Sequence, residues 1–455
     1  MKHSTTPAKT NGRHAHQPLA DYDVPPMIIS MLVQALYNIV DSMFVAQLSE
    51  NALTAVSLAF PVQSLMIAVG SGTGVGINAL LSKSLGEKNF DLADKTAENG
   101  IFLAVLSYLL FAVIGVLFSK PFFLLQTTDP EIVENGAIYL MLCCVCSFGM
   151  FLQFTFERLL QSTGRTFYTM ITQGLGAIIN IILDPIMIFG LLGFPKLGVA
   201  GAALATVIGQ IVASILALLF NIKKNEEITL RLKGFRPNAK VIGKIYSVGI
   251  PSIIMASIGS VMTFGMNKIL ISFTSTATAV FGVYFKLQSF VFMPIFGLNN
   301  GMVPIISYNY GARKPDRMMK TIKLSILYAT CIMIIGVAIF MLIPDKLLSF
   351  LTLRKRCSRS ACPRCAPSAS ACFAGFSICM LSVCQSLGHG MLSLSVSVVR
   401  QLVILLPTAY LLARFSGLNA VWWAFPFAEL FSLALCLIYF RYIYGKEIKP
   451  LGNAS

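Results

Sequence analysis

The sequence predicts an all-α polytopic membrane protein with twelve transmembrane helices. The helices form two six-helix bundles related by a pseudo-two-fold axis along the membrane normal. Of the 455 residues, 56% are hydrophobic and 12% are charged, whereas a soluble domain has about 25% charged residues. Twelve apolar stretches are long enough to cross a bilayer, and the second half of the chain repeats the first. This composition excludes a disordered chain and disfavours a soluble enzyme.

The apolar stretches define the predicted spans, because a membrane helix needs about 20 mostly apolar residues. They lie at 26–48, 53–81, 98–119, 131–155, 166–192, 198–221, 246–272, 277–305, 321–343, 366–386, 392–413 and 418–441. We therefore expect a cytoplasmic tail, an N-terminal six-helix bundle, a cytoplasmic linker, a C-terminal six-helix bundle and a second cytoplasmic tail, at 1–24, 25–221, 222–245, 246–444 and 445–455.

The distribution of Lys and Arg predicts the orientation in the membrane. With the N-terminus inside, the cytoplasmic segments hold 23 of these residues and the outer segments hold 9. Cytoplasmic loops carry such an excess in membrane proteins, so we expect both termini in the cytoplasm and the chain in the cell (inner) membrane. The net charge of +16 is then explained by these loops, and no nucleic-acid partner is expected.

The two halves match each other at a nearly constant offset. At 225 residues the identical positions include Gly72 with Gly297 and Gly86 with Gly311. Further on, residues 161–164 match 385–388 at an offset of 224. Each unit has six spans, an even number, so both halves enter the membrane in the same direction. Parallel repeats of this kind place a central cavity between two bundles.

Two acidic residues lie deep in predicted spans of the first half. Asp41 and Asp184 reach a similar depth in spans 1 and 5, and each shares a helix face with an amide, Asn38 or Asn180. A membrane carboxylate costs about 2.5–3.5 kcal/mol and is by default a functional-site hypothesis. With a carbonyl freed by Pro185, these oxygens can hold Na⁺ or a shared proton. The alternative is that each acid pairs separately with a buried base or hydroxyl.

The repeat indicates that this site belongs to one bundle only. The counterparts of the two acids in the second half are Met266 and Leu406, so ion coupling is expected to be asymmetric. No nucleophile–base pair or metal-ligand set occurs in the spans. We therefore expect no enzyme activity, no cofactor and no structural metal.

Further polar residues are candidates for the substrate cavity or for a gate. Glu157, followed by Arg158, predicts a local ion pair or a gate between loops. Glu429 either faces the cavity, where it suits a cationic substrate, or is a hydrogen-bonded structural residue. Lys286 is a counter-ion or extends its amine to the membrane surface. The candidate set for cavity and gate is Gln34, Glu157, Lys286, Gln288 and Glu429.

The chain contains, in order, the motifs QALYNIVD at 34–41, ERLLQSTG at 157–164, NIILDP at 180–185, GVAGA at 198–202 and VPIISYN at 303–309. With their order and spacing, these motifs resemble the multidrug and toxic compound extrusion (MATE) family of cation-coupled antiporters, and the likeness covers residues 20–445. The resemblance implies a V-shaped fold that alternates between outward and inward openings. It implies an ion site formed by Asp41, Asn180 and Asp184, which can hold Na⁺. In this family a threonine of span 6 often joins the site, and Thr206 is the candidate here. The acid that other branches carry in span 7 is absent.

The resulting functional hypothesis is secondary active multidrug efflux. A monomer would export small amphipathic or cationic drugs, including antibiotics, against H⁺ or Na⁺. The alternative is a lipid-linked oligosaccharide flippase of related architecture, which should line its cavity with several cations. Apart from Lys323 and Arg441 at the ends of spans, only Lys268, Lys286 and Arg400 lie in predicted spans. A channel or a membrane scaffold would not explain why these acids occur in only one half of the repeat.

One tract departs from the pattern. Residues 354–372 contain five Arg or Lys, four of the eleven Cys and no acid, on the side predicted to be outside. We interpret the tract as a short stretch of sequence that is out of frame. The alternatives are a real basic outer loop, or a zinc or disulfide site made by Cys357, Cys362, Cys365 and Cys372.

Overall fold

The computed structural model describes residues 19–230, 234–273, 275–342 and 366–452, and their regular secondary structure is entirely helical. The first half contains α1 Leu19–Ala46, α2 Glu50–Gly86, α3 Phe90–Leu124, α4 Pro130–Val145, α5 Phe148–Ser162, α6 Thr166–Phe189 and α7 Val199–Lys224. The second half contains α8 Ala239–Ile271, α9 Ser275–Gly311, α10 Pro315–Leu342, α11 Ala366–Ser386, α12 Gly390–Val398, α13 Leu406–Ser416, α14 Leu418–Val421, α15 Ala424–Ile443 and α16 Lys449–Gly452. Two π-helical segments, Val399–Leu405 and Tyr444–Ile448, connect α12 to α13 and α15 to α16.

The predicted spans correspond to these helices. Among the described residues, ten helices are long and apolar enough to cross a membrane, and the bent pair α4 and α5 can form an eleventh span. The apolar part of α11, Phe373–Ser386, is shorter. The chain is therefore a multi-pass membrane protein. Residues 354–365 of the basic tract lie outside the described residues, and 366–372 form the first turns of α11.

Two predicted spans differ from the continuous helices that we expected. Span 4, predicted at 131–155, is bent by 43° between α4 and α5, where Ser147 begins α5 without a side-chain cap. Span 11 contains a π-helical segment between α12 and α13. Hydrophobic length fixes where a span lies, but it does not report a local break in the backbone hydrogen bonds.

Equivalent helices of the two halves make equivalent contacts. In the first half α1 packs on α6, and in the second half α8 packs on α12. Ser82 Oγ donates a hydrogen bond to the Ser162 carbonyl (3.2 Å), and its counterpart Ser307 donates to the Ser386 carbonyl (2.8 Å). The sequence repeat is therefore also a repeat of individual hydrogen bonds.

The two bundles meet through glycines that form reciprocal pairs. A Cβ atom on Gly86 would lie 2.1 Å from the Tyr308 carbonyl oxygen, and one on Gly311 would lie 2.2 Å from the Lys83 carbonyl oxygen. Gly86 and Gly311 are 225 residues apart, and so are Lys83 and Tyr308. A two-fold axis that relates the two halves therefore exchanges these two contacts. Because glycine has no side chain, the backbones of α2 and α9 can approach this closely.

A second reciprocal pair lies further along the same helices. A Cβ atom on Gly72 would lie 2.7 Å from the Ile253 amide nitrogen, and one on Gly297 would lie 2.7 Å from the Ile28 Cα atom. These contacts join α2 to α8 and α9 to α1. We call the end of the bundles where Gly86 and Gly311 meet the closed end.

Replacing Gly86 with Ala tests the role of this interface. The added methyl group has no room against the Tyr308 carbonyl, so the bundles must separate. Overpacking of this kind costs about 1–3 kcal/mol, and the midpoint of thermal unfolding in detergent should fall. Gly259→Ala in α8 is the control, because a Cβ there meets no atom within 4 Å. Equal unfolding temperatures for the two variants would contradict the close contact.

Candidate ion-coupling site

The packing of α1 against α6 brings the two predicted acids together. The carboxyl groups of Asp41 and Asp184 lie within hydrogen-bonding reach of each other. Asp184 is completely buried. In the described part of the chain, neither acid has a salt-bridge partner, and Asp41 Oδ1 is buried without a hydrogen-bond partner. Two adjacent carboxylates repel each other unless a proton or a cation lies between them.

Asn180 and Thr206 complete the cluster. In the amide orientation that satisfies its neighbours, Asn180 Nδ2 donates to Asp184 (3.3 Å) and Oδ1 accepts from the Thr206 hydroxyl (3.1 Å). The α6 and α7 backbones approach closely here, since a Cβ on Gly209 would lie 2.7 Å from the Gly176 carbonyl oxygen. This glycine contact positions Thr206 beside Asn180.

The cluster has the donor chemistry of a site for a small cation. Its carboxylate, amide and hydroxyl oxygens are hard ligands of the kind that Na⁺ and Ca²⁺ accept, and its paired acids can instead share a proton. Helix α6 remains continuous through Pro185 and ends at Phe189. No group of three or more His, Cys, Asp or Glu residues that could hold a metal ion is found within the described ranges.

Tyr37 occupies the position that we expected for Asn38. The Asn38 side chain is exposed, whereas the Tyr37 hydroxyl lies within electrostatic reach of both Asp41 and Asp184. Residues three and four positions before an acid share its helix face, so the spacing alone could not decide between them. The packing of α1 against α6 turns Tyr37 toward the acids.

A second group of polar residues adjoins Asp41 from α2 and α4. Gln63 Nε2 donates to the Tyr139 hydroxyl (3.1 Å), and Tyr139 lies within electrostatic reach of Asp41. No sequence pattern pointed to Tyr139, because it is one aromatic residue within an apolar stretch. These residues come from three helices, and only their packing brings them together.

The second half has apolar residues where the first half has its acids. Met266, the counterpart of Asp41, is fully buried. A Cβ on its neighbour Gly265 would lie 2.8 Å from a methyl group of Leu406, the counterpart of Asp184. The structure therefore has the carboxylate pair in the N-terminal bundle and an apolar contact at the equivalent place in the C-terminal bundle.

The predicted ion pair between Glu157 and Arg158 is wrong. Glu157 is buried and accepts hydrogen bonds from α5 and α6, while Arg158 donates to Gln161 (2.8 Å) and, across the bundle interface, to Asn300 of α9 (3.0 Å). Consecutive residues of a helix point about 100° apart, because a turn holds 3.6 residues. The two side chains therefore face different neighbours.

The other cavity candidates have different environments. Glu429 forms an ion pair with Arg400 (3.3 Å), and both side chains are mostly buried. This contact favours the structural interpretation of Glu429 over the substrate-contact interpretation. Gln34 and Gln288 are half-buried, and the side chain of Lys286 lies outside the described residues.

Two membrane bundles related by a two-fold repeat, with one buried acid pair, define a secondary-transporter type of protein. The family model MatE matches residues 26–186 and again residues 251–411. The chain therefore belongs to the MATE family of transporters. Because this is a family of transporters, the expectation that the chain is not an enzyme is confirmed.

Individual relatives agree with this assignment. The multidrug export protein MepA of Staphylococcus haemolyticus strain JCSC1435 is 27% identical over 428 residues, which cover 91% of each chain. MepA of Staphylococcus aureus strain N315 is 27% identical over 416 residues, with the same coverage. The fold is similar to that of a solved structure described as the outward-facing conformation of a multidrug resistance MATE family transporter of the MOP superfamily, with a TM-score of 0.88, 24% identity and 96% of each chain covered.

The Arg400–Glu429 pair yields a prediction about stability. Arg400→Met leaves the Glu429 carboxylate without its counter-charge, and breaking a buried pair in this way costs about 3–5 kcal/mol. The single variant should unfold at a lower temperature in detergent. The double variant Arg400→Met with Glu429→Gln should recover most of that loss, since no charge remains. If the double variant is no more stable than the single one, the pair does not have the structural role assigned here.

Proposed function

We propose that this protein exports small amphipathic or cationic drugs in exchange for H⁺ or Na⁺, by alternating access of a cavity between its two bundles. Family membership and the MepA relatives support drug export. The contact between Asp41 and Asp184, with Asp41 Oδ1 unpartnered, is the single observation that supports cation coupling. A cation or proton bound at this pair would remove the repulsion between the two carboxylates.

The proposed mechanism begins with neutralisation of the acid pair. Each unneutralised carboxylate in a membrane costs about 2.5–3.5 kcal/mol, so binding of H⁺ or Na⁺ stabilises the packing of α1 against α6. Helix α1 also contacts the other bundle, through Ile28 and Gly297. A shift of α1 at Asp41 can therefore be transmitted to the bundle interface. The cation drives the cycle only if its affinity differs between the two conformations.

The arrangement of the protein in the cell follows from the same proposal. The excess of Lys and Arg supports an orientation with the closed end and both termini in the cytoplasm and the proposed cavity open to the outside. We infer that the protein acts as a monomer in the cell membrane, because one chain already contains both of the bundles between which the proposed cavity lies. The drug then leaves toward the outer face while the cation enters.

The flippase alternative receives no support from the cations of the described region. Arg400 is neutralised by Glu429, and Lys268 is exposed. Arg158 is buried but is engaged by two amide oxygens at the bundle interface. A pyrophosphate-binding cavity would need several available cations facing it.

Ethidium efflux from proteoliposomes tests the proposal. Under an imposed pH or Na⁺ gradient the wild-type chain should move ethidium against its concentration gradient, and Asp41→Asn should abolish gradient-driven transport while ethidium binding persists. The amide has the shape of the carboxylate but cannot take up a proton, and it binds Na⁺ less tightly because it is uncharged.

Asp91→Asn is the matched control, because the Asp91 carboxylate is exposed at the start of α3. This variant should transport like the wild type. Comparing the two gradients also identifies the coupling ion. Unchanged gradient-driven efflux in the Asp41→Asn variant would reject the coupling site.

A further inference from the structure

The polar face of α6 continues from the Asp184 cluster toward the closed end. Thr172, Gly176, Asn180 and Asp184 follow one another at intervals of four residues, which places them on one face of the helix. Thr172 is twelve residues from Asp184, or about 18 Å along the axis. At the Thr172 level, this face meets Glu157 of α5.

Glu157 is a buried carboxylate surrounded by neutral donors. Its side chain is 2% exposed. It accepts hydrogen bonds from Gln153 Nε2 (2.9 Å), Gln173 Nε2 (2.7 Å) and the Thr172 hydroxyl (3.0 Å). In the described ranges, the one charged group that acts on it is Arg158, whose guanidinium points to the bundle interface. Helices α2, α3, α6, α7 and α9, which pack against α5, contribute no titratable group to it.

The Thr172 hydroxyl links Glu157 to a backbone acceptor. Its oxygen lies 3.0 Å from Glu157 Oε1 and 2.9 Å from the Thr169 carbonyl oxygen. A hydroxyl has one proton and can donate only one hydrogen bond at a time. Both contacts can be hydrogen bonds at the same time if Glu157 is protonated. Its carboxyl group then donates a hydrogen bond to the Thr172 hydroxyl, and that hydroxyl donates a hydrogen bond to the Thr169 carbonyl oxygen.

Near Glu157, α6 has buried polar atoms without a hydrogen-bond partner in the described part of the chain. Thr169 is fully buried, and its hydroxyl oxygen has no partner in the described part of the chain. The same is true of Gln173 Oε1. Such groups cost free energy when left unpaired. Gln173 Oε1 is therefore an acceptor beside Glu157 that lacks a donor, and a proton added to this group of side chains would supply one.

We propose that Glu157 is a second proton-binding acid of the N-terminal bundle, separate from the Asp41–Asp184 pair and nearer the closed end. In one cycle its carboxylate takes a proton from water, forming one O–H bond, and returns it to water when the closed end opens. No electron transfer is involved. This proposal rests on the proposed cation-coupled export and adds one exchanged proton to it.

Proton release on drug binding tests the site. The purified full-length chain is placed in weakly buffered, Na⁺-free detergent solution with a pH indicator, so that only protons can neutralise the acids, and tetraphenylphosphonium is added to saturation. The wild-type chain should release about two protons per bound cation, and Glu157→Gln about one. Glutamine keeps the shape of the side chain, so drug binding should persist. Glu134→Gln, at an exposed acid of α4, should match the wild type.

A chain with Asp41→Asn and Asp184→Asn provides a test that does not depend on folding of the Glu157 variant. It should still release about one proton, because Glu157 remains. Release of none would overturn the proposal, as would a wild-type proton count in Glu157→Gln with only a weaker drug affinity. By contrast, wild-type gradient-driven efflux in Asp41→Asn would reject the coupling site but leave the measurement on Glu157 valid.

Discussion

The contact between two carboxyl groups inside the N-terminal bundle is the constraint on which the functional interpretation depends. Asp41 and Asp184 are adjacent, and neither has a basic partner in the described region. Such an arrangement is stable only with a proton or a cation between the oxygens. The surrounding helices keep it in place, because the close approach of Gly176 and Gly209 holds Thr206 against Asn180. This arrangement is the basis of the proposed cation coupling.

The glycine pairs connect this site to the rest of the molecule. Gly86 and Gly311 let α2 and α9 meet backbone to backbone, and Gly297 lets α9 meet α1. Since α1 also carries Asp41, one helix belongs to both the ion site and the bundle interface. Packed backbones of this kind have a few discrete arrangements rather than a continuous range. A small change at the acids can thus be expressed as opening or closing at the end of the bundles.

The acids in the membrane spans discussed above are of two kinds, those paired with a base and those without a base. Arg400 and Glu429 neutralise each other in the C-terminal bundle, which stabilises the fold and leaves no net charge to bind a cation. In the described part of the N-terminal bundle, Glu157 and the Asp41–Asp184 pair have no salt-bridge partner. Met266 and Leu406 at the equivalent positions belong to one apolar cluster, so the fold does not need acids there. The asymmetry is consistent with the proposed ion site in one bundle.

The sequence alone determined the spans, the repeat and the depth of Asp41 and Asp184, because hydrophobic length and residue spacing are properties of the chain itself. It did not determine which side chains face each other. Tyr37 rather than Asn38 faces the acids, and Glu157 and Arg158 point to different neighbours, because the packing of neighbouring helices selects one face among several that the spacing allows. The break between α4 and α5 was likewise decided by tertiary structure, since a bend in the backbone leaves the hydrophobic pattern of the sequence unchanged.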